Sequence, residues 1–120
     1  YTQFEYSGLR VLPAETSTTG SVDVVLTVAN VGDRFGEEVV QLYVRDPISS
    51  VATPEIQLRG YRKVGLASGE EKQVRFSVGP EDLKLLDQEM NWIVEPGEFQ
   101  ILVGHSSRDI RLRGAIKVLE

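Results

Sequence analysis

The feature that most constrains this chain is an alternation of apolar and polar residues with a period of two. Val22, Val24, Leu26 and Val28 alternate with Asp23, Val25, Thr27 and Ala29 before the turn-rich run Asn30-Val31-Gly32-Asp33. Val40, Leu42 and Val44 alternate with Val39, Gln41, Tyr43 and Arg45, stopping before Asp46-Pro47, where proline can no longer donate to a ladder. Val74, Phe76 and Val78 alternate with Gln73, Arg75 and Ser77, and Phe99, Ile101 and Val103 with Gln100 and Leu102 up to Gly104. Successive side chains of a strand point to opposite faces, so each run describes a strand with one buried face. The buried parity gives an expected inter-sheet core of Val24, Leu26, Val40, Leu42, Phe76, Phe99 and Ile101.

Weaker strands are readable at 4–11, 57–66, 91–94 and 110–118. Phe4 and Tyr6 share one parity and Leu9 and Val11 the other, so Gly8 is expected in a bulge that resets the register. In the last strand Gly114 keeps the parity of Leu112 and Ile116, which turns it toward the core with no bulge required. Residues 80–87 read as about two turns of helix, with Pro80 in the first turn and Glu81 and Asp82 at the positive end of its dipole. About eight short strands separated by turns and one helical connector describe an all-β antiparallel sandwich. At 120 residues the chain has the size of one domain with its own core.

Composition narrows function by exclusion. A net charge of −5 discourages nucleic-acid binding, and the absence of cysteine removes thiol catalysis, thiolate metal sites and disulfides. The apolar runs fall far short of a membrane span, and the first residues lack the basic and apolar regions of a signal peptide, leaving the compartment open. A chain that opens on Tyr1 rather than methionine is expected to be cut from something longer.

Candidate chemistry is sparse. His105 lies beside Ser106, Ser107 and Asp109, but neighbours in one turn cannot form a nucleophile, base and carboxylate line, so it reads as a surface-turn histidine. Glu37-Glu38, Glu70-Glu71 and Glu81-Asp82 read as solvated turns, because adjacent strand residues face opposite ways and no calcium-loop spacing is present. The run 65–70 has two glycines without a phosphate-loop lysine and reads as a hairpin turn. Arg59, Arg62 and Lys63, with Arg108, Arg111 and Arg113, read as solvated strand faces pairing with carboxylates. Tyr43, Tyr61 and Trp92 are the candidates for a sugar-stacking platform, against the ordinary reading of core or rim aromatics. No catalytic residue, metal ligand or cofactor site emerges.

Four segments taken together resemble a known pattern. N-V-G-D-R-F-G-E-E-V-V-Q-L-Y-V-R-D-P at 30–47, L-R-G-Y-R-K-V-G-L-A-S-G-E at 58–70, M-N-W-I-V-E-P-G-E-F at 90–99 and V-G-H-S-S at 103–107 follow one another in order along the chain. They are similar to the fibronectin type III-like domain of family 3 glycoside hydrolases, with Tyr61 where that pattern usually has phenylalanine. The resemblance implies a fibronectin type III-like, immunoglobulin-like sandwich, the C-terminal piece of a larger retaining β-glucosidase or β-xylosidase. It implies that the catalytic groups lie in a barrel and an α/β domain, so that none is carried over to this chain. The partners implied are those two domains of the same polypeptide. The contact is expected through a sheet face or the excursion 46–55, with Tyr43, Asp46, Pro47, Ser49, Ser50, Thr53 and Pro54 as its candidate residues. The alternative from another class is an independent module that binds polysaccharide or another cell-wall polymer.

Overall fold

The computed structural model describes residues 3–45, 56–86 and 89–119. Strands β1 (Phe4–Leu12), β3 (Val22–Asn30) and β6 (Glu71–Val78) form a three-stranded antiparallel sheet in the order β1-β3-β6. A five-stranded sheet has the order β2-β10-β9-β4-β5 and is built from β2 (Glu15–Ser17), β4 (Gly36–Arg45), β5 (Gln57–Leu66), β9 (Gly97–Ser106) and β10 (Asp109–Leu119). A short helix α1 (Pro80–Leu83) leads into a two-stranded ribbon of β7 (Leu85–Leu86) and β8 (Trp92–Ile93).

The alternation read from the sequence decides what lies between the sheets. Val24, Leu26, Val40, Leu42, Phe76, Phe99 and Ile101 all belong to the buried core, joined by Val28, Leu66, Val103, Ile116 and Val118. Gly8 lies in the left-handed region at φ 66°, inside the register shift of β1 between Ser7 and Arg10, as the parity change requires. Gly114 faces inward: a Cβ there would stand 3.1 Å from Leu9 Cδ2 and 3.4 Å from Val11 Cγ2, so β1 packs into the space that its missing side chain leaves. The outward face of the three-stranded sheet also buries an apolar residue. Val25 is flanked in register by Arg10 and Arg75, whose aliphatic stems can cover it while their charged heads stay in water.

Four expectations need correction. The run 65–70 is not a hairpin turn, because β5 and β6 belong to different sheets; it carries the chain across the sandwich. Its turn is closed by Glu70 N–H to Ala67 O at 2.9 Å, with Gly69 at φ 81°. The helix is one turn, not two, because Leu85 and Leu86 leave it to pair with Ile93 and Trp92. Not every pairing is antiparallel: β2, which the sequence reading missed, runs parallel to β10 with Lys117, Val118 and Leu119 opposite Glu15, Thr16 and Ser17. Glu38 is not in a solvated turn: it is buried on β4, at 3% exposure, and its carboxylate is central to the site below.

Candidate functional site

Two places carry the candidate residues. At one end of the sandwich, the start of β1, the start of β4, the end of β9 and the start of β10 place a polar cluster on the inner side of both sheets. Glu38 has the parity of Val40 and Leu42 and therefore points inward. Its Oε2 accepts the Tyr6 hydroxyl at 2.8 Å from the opposite sheet, and its Oε1 accepts the Val39 N–H at 3.0 Å. His105 Nδ1 lies 2.7 Å from the same Oε1, so the tautomer that donates there is the one this geometry selects. A carboxylate taken out of water needs such donors, and three of them surround this one.

The cluster extends to β10. Arg111 grips Asp109 with two parallel contacts, Nε to Oδ1 at 2.7 Å and Nη2 to Oδ2 at 3.1 Å, while its Nη1 donates to Phe4 O at 3.0 Å. The guanidinium also stands 5.5 Å from the centre of the Tyr6 ring. Its hydrogen bonds hold the Asp109 carboxyl below the usual aspartate value, and Asp109 in turn raises Arg111. Burial, followed by the hydrogen bond to Glu38, pushes the Tyr6 phenol well above its ordinary value. Every member of the cluster is engaged with another. Retaining glycoside cleavage needs two carboxyl groups about 5 Å apart across a sugar. Here Glu38 is enclosed by donors and Asp109 is clamped by Arg111, so the arrangement ties sheet to sheet. Among the described residues no group of three histidine or carboxylate side chains is placed to hold a metal ion.

The second place is the outward face of the five-stranded sheet. Tyr43 sits there in register between Leu58 of β5 and Leu102 of β9. It is only 8% exposed, and its hydroxyl donates to Gln41 Oε1. Tyr61 and Trp92, at 64% and 63%, are open to solvent, Trp92 with the Lys84 ammonium 5.2 Å from its ring centre. The three aromatics therefore do not form one open platform: Tyr43 is covered, Tyr61 lies on β5, and Trp92 lies on the separate ribbon. Asp46, Pro47, Ser49, Ser50, Thr53 and Pro54 lie outside the described residues.

A sequence profile of the fibronectin type III-like domain matches residues 38–107, more than half of the chain, and takes in strands from both sheets. The chain belongs to the fibronectin type III-like domain family. Thermostable β-glucosidase B of Acetivibrio thermocellus is 44% identical to this domain over 119 residues, which is 98% of this chain and 16% of that protein. A putative β-xylosidase of Formosa agariphila is 36% identical over 111 residues, 92% of this chain and 15% of that protein. In three dimensions the domain superposes on part of a β-glucosidase of Erythrobacter marinus with a TM-score of 0.92 and 38% identity, covering 98% of this chain and 16% of the other. The chain thus spans about a sixth of the length of the curated relatives it matches. It is a small accessory domain of such proteins by its match and its proportion.

The remaining candidates of this fibronectin type III-like domain take structural places. Glu37 reaches Lys63 at 3.6 Å, Glu70 Oε1 accepts the Ala67 N–H at 2.9 Å, Glu81 pairs with Lys84 at 2.8 Å, and Asp82 Oδ2 accepts the Gly79 N–H at 3.0 Å. His105 is half-exposed, as expected of a surface position, but it stands on β9 and not in a turn. Asn30 was read only as part of a turn. It is completely buried, and its side chain donates to Arg34 O at 2.7 Å and Leu66 O at 2.9 Å while accepting the Gly32 N–H at 2.9 Å. One side chain thereby ties the β3–β4 turn to the crossing between β5 and β6.

Proposed function

We propose that this domain is the C-terminal accessory module of a retaining, exo-acting family 3 glycoside hydrolase of the β-glucosidase or β-xylosidase type. It acts by docking on the barrel and α/β domains of the same polypeptide and stabilising their arrangement. The observation that carries this reading is one of proportion: nearly the whole chain aligns, at up to 44% identity among the relatives named, with about a sixth of proteins named as β-glucosidases and β-xylosidases. The candidate contact is Tyr43 with the adjoining segment 46–55. Support for Tyr43 is its place on the outward face of a sheet, beside residues that are open to solvent.

Hydrogen exchange of this chain, compared with the longer polypeptide, tests the reading. Protection across 43–56 rises in the longer polypeptide while the central amides of β3 and β9 stay as they were, because docking orders a surface without rebuilding a sandwich. Equal exchange in both contexts places the contact elsewhere. Independent polysaccharide binding is the second reading, resting on the open rings of Tyr61 and Trp92. The burial of Tyr43 counts against it, since a covered ring cannot stack on a sugar.

A further inference from the structure

The outward face of the five-stranded sheet carries features that neither the fold nor the polar cluster uses. Along β5, an edge strand, Leu58 and Tyr61 point outward at 49% and 64% exposure. Phe35, at 63%, lies over the outward side of Gly65, where an added Cβ would come within 3.1 Å of its ring. Leu58 and Tyr61, with buried Tyr43 and Leu102, make an apolar patch on this face, and Phe35 lies further along it beyond Lys63, which pairs with Glu37 at 3.6 Å. Patches of this kind on a face rimmed by polar groups mark interaction sites.

Charge gives the patch a direction. Arg45 and Arg113 lie on the same face, in register with Gln100 and Leu102, and among the described residues neither is within ion-pair distance of a carboxylate. Arg113 stands directly opposite Leu102 in register. The Nε atom of Arg45 is buried with no acceptor among the described residues, although buried donors are ordinarily satisfied. A chain of net charge −5 thus sets two guanidinium groups with no carboxylate partner among the described residues beside its apolar patch.

We infer that this face, with Phe35, Leu58 and Tyr61 as anchors and Arg45 and Arg113 as charged contacts, packs against the remainder of the same polypeptide. The receiving surface is apolar at its centre and carries carboxylates at its rim. The inference rests on the docking reading above and adds the face and the chemistry of what it meets. Contiguity supports the choice of occupant: Arg45 is the last residue before the segment 46–55 already assigned to that contact. So does size, because about five-sixths of the length of the relatives lies outside the matched region.

Hydroxyl-radical footprinting of side chains separates the possible outcomes, with Trp92 as an internal reference because it is as exposed as Tyr61. Labelling of Phe35, Leu58 and Tyr61 is expected to fall about tenfold in the longer polypeptide relative to the 120-residue chain, with Trp92 unchanged. Charge reversal at Arg45→Glu with Arg113→Glu then restores labelling of Tyr61. Protection of Trp92 and Met90 with Tyr61 still open overturns the assigned face but leaves docking standing. No protection on any face overturns docking itself. Protection of Tyr61 only on adding soluble β-glucan or xylan makes the patch a sugar site and overturns the inference. Protection that survives both charge reversals contradicts the carboxylate-rimmed partner.

Discussion

Glu38, Tyr6 and His105 show how a polar group can stand on the core face of a sandwich. The carboxylate of Glu38 meets a phenol from the opposite sheet and an imidazole from its own, so both its oxygens are satisfied where water is excluded. Tyr6→Phe removes one donor and leaves Oε2 without it, at an expected cost of about 1–3 kcal/mol in chemical denaturation. The same substitution has a signature in pH. Because the folded-state phenol ionises well above the ordinary value of 10.0, the neutral form favours the folded state. That contribution is complete below pH 10 and is lost as pH rises above it; the alkaline decline in stability is expected to flatten in Tyr6→Phe. Asp109 has the opposite sign: held below 3.8 by Arg111, it stabilises the fold above that value and loses this effect as pH falls. Asn30→Ala strands two carbonyls and an N–H at once and is expected to lower stability by about 3 kcal/mol, measured by the denaturant midpoint. The place of Glu38 was legible in principle, since it shares the parity of Val40, Tyr6 that of Phe4, and His105 that of Val103. Charge and a neighbouring turn make Glu38 and His105 read as solvated, and the three-dimensional meeting of β1, β4 and β9 is needed to show that Glu38 is not.

At the scale of elements, period-two alternation carried the long strands because burying one face fixes both the register and the core. Truncating Phe76 to Ala is therefore expected to cost about 3–5 kcal/mol, read from the unfolding midpoint; an unchanged midpoint contradicts the register of β6. Strands β2 and β7 are three residues or fewer, too short to show any period, and exist because neighbours offer them a partner, whereas β8 falls inside the strand read at 91–94. The crossing from β5 to β6 was misread because a glycine-rich turn looks alike whether it returns within a sheet or passes to the next. Two glycines of the β9–β10 pair set up a direct comparison. A Cβ at Gly104 would stand 2.1 Å from the backbone oxygen of Asp109, whereas one at Gly114 meets only the side chains of Leu9 and Val11 at 3.1 and 3.4 Å. Gly104→Ala is expected to be much the more damaging in thermal unfolding, because a backbone atom cannot step aside.

For the whole molecule, the fibronectin type III-like architecture followed from strand pattern and motif together, but the docking face we propose did not. Leu58 and Tyr61 differ in parity and face the same way only because of the bulge opposite Leu42 and Tyr43, while Phe35 comes from the loop before β4. The chain alone is expected to leave aryl β-glucosides and β-xylosides intact, since its inward carboxylate is sealed by donors. Turnover abolished by substituting one of its own carboxylates would contradict the accessory role. The central claim is that this module is stabilised by, and stabilises, the rest of its polypeptide, and calorimetry of the chain alone and of the longer polypeptide tests it directly. Docking predicts that the module unfolds at a higher temperature in the longer polypeptide, in a transition coupled to its neighbours. A separate transition at the same midpoint as the isolated chain would contradict it.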